Sequence, residues 1–451
     1  MTSRYLELTP SNKTTDDKYS FKEGVAQINW TIPEGNFVLD PHSIRICGDV
    51  RFYKDNANPP TAPTNADALS LNSRIGVYSL FNSLIWRSSK HQTTISHERN
   101  YNRWLSSYMG ISAGFEDGIS HLSQTALTLP NYEQEKRAVV VGSELKSFCV
   151  HLPCGLLNAG QSLPLTSNTL GGLDLSIMLE SDAQALQVLP GDFSTDPDIA
   201  NYVGAHYELS NIKLVCSVIT PPPDQLSRLL SSKQGAMSYQ SIHSYYDTAN
   251  SNNVQVSMNF GLSKAKSLFV NMIPSDRLNN LGADGLATLS PVNLDGSLAD
   301  VQQISTLRGG TIYPKLFPRD TNFKETTDTM MIDPVIFKDY INSVSDVNRN
   351  RQLIGGICNA NRGYLGKVAV VGGVNKNHGT PYQFVNDGGV FYGIGVNYEN
   401  YIGGSGIDLS KEQWGLNLQC NLTSSNAQSL FIFVNAESTI LWTESGVQLI
   451  Q

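Results

Sequence analysis

The chain has 451 residues, with 32 Lys+Arg against 40 Asp+Glu and a formal net charge of −8. That length is ample for two domains with cores of their own, and a hydrophobic content of 40% is too high for a disordered chain. Charged residues supply only 16%, and their acidic balance argues against a dedicated nucleic-acid binder, because phosphate affinity comes from clustered Lys and Arg.

Residues 1–24 are polar and balanced in charge, with Arg4, Lys13, Lys18 and Lys22 against Glu7, Asp16, Asp17 and Glu23, and read as an N-terminal arm. Short alternating or β-branched runs follow at 27–32, 43–53, 76–86, 137–141, 147–152, 172–179 and 207–219. A second series occupies 254–260, 267–273, 367–371, 389–396, 414–422, 429–434 and 439–450. Runs of this length and spacing predict strands of antiparallel sandwiches. Helical signals are few. Ser96 is placed to cap a helix through Tyr101, Trp104, Leu105 and Tyr108 that stops at Gly110. Asp224 opens a second over 225–234, and Asp333-Pro334 a third that uses Phe337, Tyr340, Ile341 and Val344. Pro221-Pro222-Pro223 cannot continue a central strand and divides the chain almost in half. The expected fold is all-β: an arm (1–24), a first sandwich (25–220), a linker with a short helix (221–250) and a second sandwich (251–451).

The halves resemble one another. Gly172-Leu-Asp-Leu recurs as Gly415-Leu-Asn-Leu, and the run at Phe148 (FCVHL) has its counterpart at Phe391 (FYGIG), both at an offset of 243 residues. Each GL(D/N)L run is followed by a loop and one last strand, expected at 207–219 and at 439–450.

Little in the sequence can carry chemistry. Gly110-Ile111-Ser112-Ala113-Gly114 fits G-x-S-x-G, but that motif needs a strand feeding the serine onto a turn that opens a helix, and here a helix is expected before it. The eight histidines (His42, His91, His97, His121, His151, His206, His243 and His378) show no metal-binding spacing. Asp346-Val-Asn348-Arg-Asn350 opens like a calcium loop yet has Arg351 at its sixth position and Ile357 at its twelfth. Asp192, Asp196 and Asp198 read as a solvated acidic loop. Gly388-Gly389 and Gly403-Gly404-Ser405-Gly406 lack the lysine of a phosphate loop and read as turns. No catalytic residue, cofactor or metal is expected. Six cysteines without CxxC pairs (Cys47, Cys149, Cys154, Cys216, Cys358 and Cys420) predict buried free thiols in a reducing compartment. Residues 1–20 hold no apolar signal core, which predicts a cytosolic or nuclear product.

Specific residues bring a family into view. Phe148-Cys-Val-His-Leu-Pro-Cys-Gly-Leu-Leu-Asn158, Leu163-Pro-Leu165 and Gly171-Gly-Leu-Asp-Leu-Ser-Ile-Met-Leu179 resemble the first jelly roll of double jelly-roll major capsid proteins. These proteins build the shells of polinton-like viruses, virophages and related double-stranded DNA viruses. Tyr207-Glu-Leu-Ser-Asn-Ile-Lys-Leu214 resembles the strand closing that jelly roll; 256–273 and Trp414-Gly-Leu-Asn-Leu418 resemble strands of the second. The resemblance implies a structural protein of the virion, made in the host cytoplasm and assembled there or in the nucleus, and not an enzyme. It implies homotrimeric, pseudo-hexameric capsomers tiling an icosahedral shell, alongside penton and minor capsid proteins, and it leaves room for an inner membrane beneath the shell. Sequence-specific nucleic-acid binding is not expected. Residues 55–72, 275–303 and 319–362 become candidate tower or intersubunit loops. Open alternatives are a penton or minor capsid protein, a carbohydrate-binding sandwich of fibre or lectin type, and an esterase using Ser112.

Overall fold

In the computed structural model the described residues are 2–22, 25–63, 69–72, 75–112, 125–127, 145–188, 199–232, 234–282 and 285–286, followed by 301–308, 311–313, 319–320, 324–326, 329–331, 343, 370–371, 374–375, 394–398, 406–411, 413–420, 427–443 and 445–451. Twelve strands fall in the first half: β1 (Thr2–Leu8), β2 (Lys18–Tyr19), β3 (Gln27–Ile32), β4 (Val38–Tyr53), β5 (Leu69–Leu71), β6 (Phe81–Ser88), β7 (Thr94–Glu98), β8 (Lys146–His151), β9 (Leu163–Pro164), β10 (Leu173–Leu179), β11 (Leu186–Val188) and β12 (His206–Thr220). Helices α1 (Tyr101–Ser112), α2 (Asp182–Ala185) and α3 (Pro223–Ser231) interrupt or follow them. The second half holds β13 (Gln234–Ala249), β14 (Asn253–Met258), β15 (Ala265–Pro274), β16 (Val301–Arg308), β17 (Thr311–Tyr313), β18 (Arg319–Asp320), β19 (Lys324–Thr326), β20 (Thr329–Met331), β21 (Val370–Val371) and β22 (Val374–Asn375). It ends with β23 (Ile394–Asn397), β24 (Trp414–Cys420), β25 (Gln428–Thr443) and β26 (Gly446–Ile450).

Alternation makes these strands. Along β4 the residues Ile44, Ile46, Val50 and Phe52 point into the core while Arg45, Cys47, Asp49 and Arg51 face outward, as a period of two requires. Pro41 lies within the same strand and has no N–H to give. Beside it the ladder to β12 shifts register, and the Ser217 N–H donates instead to Ser43 Oγ (2.7 Å), which donates to the Asp40 carbonyl (2.6 Å).

The pairing is nested. In the first half one sheet runs β1-β12-β4-β8 and the other β3-β10-β6-β7. Among the eight principal strands in chain order, the first therefore pairs with the eighth, the second with the seventh, the third with the sixth and the fourth with the fifth, alternate rungs lying in opposite sheets. This is the wiring of a jelly roll. The second half repeats it: β13-β25-β15-β23 in one sheet, β14-β24-β16-β17 in the other. The Gly172 and Gly415 runs become β10 and β24, which hold the same place in the two rolls, and the Phe148 run becomes β8, equivalent to β23; residues 391–393 lie outside the described residues.

Several expectations need correction. Thr2–Leu8 is the first strand of the first roll, paired with β12 over seven residues, rather than a separate arm. Gln234–Ala249, placed in the linker, is the first strand of the second roll, paired with β25 over its whole length. Ser96 caps no helix: it lies inside β7, and α1 begins only after Asn100, whose φ of 53° turns the chain. That helix passes Gly110 and ends at Ser112. The closing strand of the second roll is Gln428–Thr443, and residues 446–450 turn back on it as β26. The α3 helix ends at Ser231, not at 234, because Gln234 and Gly235 already pair with Thr443 and Trp442. The 137–141 run and most of the 333–344 helix lie outside the described residues.

Candidate assembly site: the junction between the two rolls

The strand β25 reads Leu430-Phe-Ile-Phe-Val434 without alternation, because both of its faces are buried. Leu430, Ile432, Val434 and Ala436 belong to the core of the second roll. Phe431 and Phe433, pointing the other way, join the core cluster of the first. The neighbouring β15 divides likewise: Leu268, Val270 and Met272 inward, Phe269 and Ile273 toward the first roll. Phe269 and Phe433 stack with ring centroids 5.0 Å apart. One sheet thus serves two cores, and each fully buried aromatic or aliphatic side chain contributes about 1.5–3 kcal/mol.

Against that face lies α1, in which residues 101–109 are all buried. Tyr101, Trp104 and Tyr108 stack in succession, with centroids 5.9 and 4.8 Å apart. Ser107 Oγ donates to Asn271 Oδ1 (2.8 Å), Asn271 Nδ2 donates to the Arg103 carbonyl (2.8 Å), and Ser106 Oγ donates to the Leu286 carbonyl (3.1 Å). The Arg103 guanidinium lies 4.5 Å over the Phe431 ring and donates through Nη1 to Glu180 Oε2 (3.0 Å). Glu180 also accepts from Asn82 Nδ2 (2.7 Å), Asn102 Nδ2 (2.9 Å) and the Ser181 N–H (2.9 Å). Burial alone would raise the Glu180 pKa, but Arg103 and these donors outweigh it and hold the carboxyl below its ordinary value. Removing either partner of such a buried pair strands a charge in the junction, which costs more than the pair itself adds.

A second contact joins β7 to β13. Tyr239 Oη donates to the Ile95 carbonyl (2.5 Å) and Asn100 Nδ2 donates to Ser244 Oγ (3.3 Å). Gly155 meets β13 so closely that any Cβ there would collide with the Gln240 carbonyl oxygen. In the same place Glu98, 2% exposed, accepts the Gly155 N–H through Oε1 (3.2 Å), while its Oε2 has no partner. Burial pushes this carboxyl up to about 8, against the opposing pull of Gly155 and Ser96. Further along, Thr93 Oγ1 donates to the Val447 carbonyl (3.1 Å), so β26 also leans on the first roll.

The residues singled out by sequence are not drawn together. Ser112 closes α1 instead of standing on a strand-to-helix turn, and residues 113–114 lie outside the described residues. His206 is buried, stacks on Tyr53 at 4.9 Å and shares a hydrogen bond with the Gly204 carbonyl; His243 contacts Ser241 Oγ at 2.8 Å, and burial lowers its pKa to about 4. His121, His378, the Asp192–Asp198 acids and 346–350 lie outside the described residues. Among the described residues no group of three His, Cys, Asp or Glu could hold a metal ion, and no helix is long and apolar enough to cross a membrane. Cys154 and Cys216 are buried free thiols, as expected, whereas Cys47 and Cys149 are free thiols only partly buried. Of the candidate loops, 55–63 and 69–72 are described, with Asp55 Oδ1 accepting the N–H groups of Ala57 (3.0 Å) and Thr61 (2.9 Å); most of 319–362 is outside the described residues. The junction residues Glu98, Arg103 and Glu180 were not picked out by sequence, although Glu180 is a charge set directly after the apolar run Leu173–Leu179.

No protein-family model and no curated protein matches the sequence. Solved structures do match its fold. The Faustovirus major capsid protein superposes with a TM-score of 0.60 at 10% identity, over 98% of this chain and 90% of that one. VP54 of PBCV-1, fitted into a reconstruction of the virophage Sputnik, gives 0.54 at 11% identity, over 100% of this chain and 96% of that one. The Sputnik virophage structure gives 0.51 at 11% identity, over 100% and 88%. The chain has the double jelly-roll fold of these capsid structures.

Proposed function

We propose that this chain is the major capsid protein of a double-stranded DNA virus of polinton-like or virophage type, and that it works as a homotrimer whose six rolls give a pseudo-hexameric capsomer. One observation carries this reading: two rolls of identical wiring are locked by a shared buried face and match viral capsid structures over nearly their full length. A hexagonal lattice calls for a six-fold outline, and three chains with two similar rolls each supply one under three-fold symmetry. A rigid junction suits that task, since a hinge between rolls would blur the outline. Low charge suits it as well, because repulsion among many identical subunits opposes closure of a shell.

The alternatives find less support. A penton needs only one roll, and all five tryptophans are at most 9% exposed, which leaves no aromatic platform of Trp for a sugar. The balanced charge of residues 1–24 favours a shell lined by minor proteins or a membrane over one that neutralises its own genome. Penton and minor capsid proteins are the expected partners, the virion the expected location, and 55–72, 275–303 and 319–362 the expected outer or intersubunit loops, except that 69–72 are buried within the chain and pair through β5.

Light-scattering mass on the recombinant chain, followed by negative-stain imaging, tests the proposal. A trimer of about 148 kDa, three times the 49.4 kDa chain, with six-lobed hexagonal particles is the expected result. A stable pentamer would move the assignment to the vertex, and a stable dimer with a deep cleft would overturn it.

A further inference from the structure

Two of the cysteines face each other across neighbouring strands. Cys47 on β4 and Cys149 on β8 are directly opposed in the antiparallel register, with Sγ atoms 3.0 Å apart. Opposed residues of such a ladder have Cα atoms about 4.5–5.5 Å apart, inside the roughly 4.4–6.8 Å span that a disulfide bridges. Both side chains point away from the core, between the buried Ile46 and Gly48 on one strand and Phe148 and Val150 on the other. Both are partly buried, whereas Cys154 and Cys216 are fully buried.

We propose that Cys47 and Cys149 form a reversible disulfide site that ties the third strand of the first roll to the sixth when the protein meets an oxidised low-molecular-weight disulfide such as glutathione disulfide. The thiolate of one cysteine attacks a glutathione sulfur, forming a mixed disulfide and releasing one glutathione thiolate. The second cysteine then attacks the protein-bound sulfur, closing the Cys47–Cys149 bond and releasing the second glutathione. Two thiol protons leave the protein and are taken up by the two glutathione thiolates; the dithiol is oxidised and the glutathione disulfide reduced. No strand has to move far, since the sulfurs need only approach from contact to bonding distance. Around the pair, Arg45 and Lys213 are matched by Asp49 and by Glu7, which pairs with Lys213, so the flank carries no net charge toward an incoming tripeptide. Burial and the second sulfur push the Cys47 thiol up to about 12, so few thiolates are present near neutrality and closure is slow there.

The bond would enclose residues 48–148, a loop that contains β6, β7 and α1, and closing a loop of that length restricts the unfolded chain. The full-length protein, purified under reductant, is to be equilibrated natively with glutathione disulfide and mapped by non-reducing peptide mass spectrometry. The expected result is a crosslinked 47–149 peptide pair, a higher melting temperature than the reduced protein, and reversal of both by dithiothreitol. Cys47→Ser and Cys149→Ser should each abolish the crosslink and the redox dependence of melting. Finding Cys47 and Cys149 as free thiols or as separate glutathione adducts after equilibration would overturn the proposal. The wild-type map decides the matter even if a serine variant fails to fold.

Discussion

Glu98 is a carboxyl that the fold holds in its uncharged form. Its ordinary pKa near 4.5 rises to about 8 in the junction because burial penalises the charge more than Gly155 and Ser96 stabilise it. Between those two values the native state binds a proton that the unfolded chain has lost, so stability falls as pH rises, by at most about 1.4 kcal/mol per unit. Below 4.5 the effect vanishes, and above 8 it is constant. Glu98→Gln keeps the oxygen that accepts from Gly155 and removes the titration. The variant should therefore gain on the wild type steadily from pH 5 to pH 8 in urea unfolding. A difference between the two proteins that does not change with pH would show that Glu98 does not titrate in this window. Arg103 and Glu180 behave in the opposite sense: they are charged, paired and multiply hydrogen-bonded, so that carboxyl remains ionised well into the acid range.

Among the elements, β1 has the most distinctive test. As an arm, Thr2–Leu8 could be removed without harm; as the first strand of a sheet it could not. Deleting residues 2–8 strips seven paired positions from β12 and leaves a long strand edge open. The truncated chain should melt several degrees lower and aggregate more readily in a thermal-shift and light-scattering assay, whereas unchanged melting would restore the arm. The element scale also shows what the sequence disclosed and what it hid. Strands with one buried face, such as Gln27–Ile32 and Leu173–Leu179, alternate clearly and were legible, as was the repeat that places β10 and β24 alike. The first strand is polar because five of its seven residues are exposed, so no apolar alternation marks it. In β13 the buried positions include Ser241 beside Met237 and Tyr239, and serine gives no strand signal. Ser96 looked like a helix cap because a small polar residue before an apolar run usually is one; here it is buried, with Glu98, at a contact between rolls. The run Leu430–Val434 announced a strand covered on both faces, but what covered its second face is set by residues more than 300 positions away, such as Trp104 and Tyr108 in the first core cluster, and no local pattern carries that.

At the scale of the whole molecule the shared face makes the two rolls one thermodynamic body. Phe269, Ile273, Phe431, Phe433, Ile440 and Trp442 belong to the second roll by chain and to the first by packing. Separating the rolls would expose them together with Trp104 and the Arg103–Glu180 pair. Calorimetric unfolding should therefore show a single transition, while two resolved transitions would mean that each core stands without the other. The nested wiring bears on how the chain is made. The strand Thr2–Leu8 leaves the ribosome about 200 residues before its partner β12 is complete at residue 220. At about 5–20 residues per second, roughly 10–40 s pass with that edge unpaired. A greasy sequence would invite chaperone capture or pairing with nascent chains on neighbouring ribosomes. Arg4, Glu7 and the small hydroxyl residues Thr2 and Ser3 make it a segment that can wait in water.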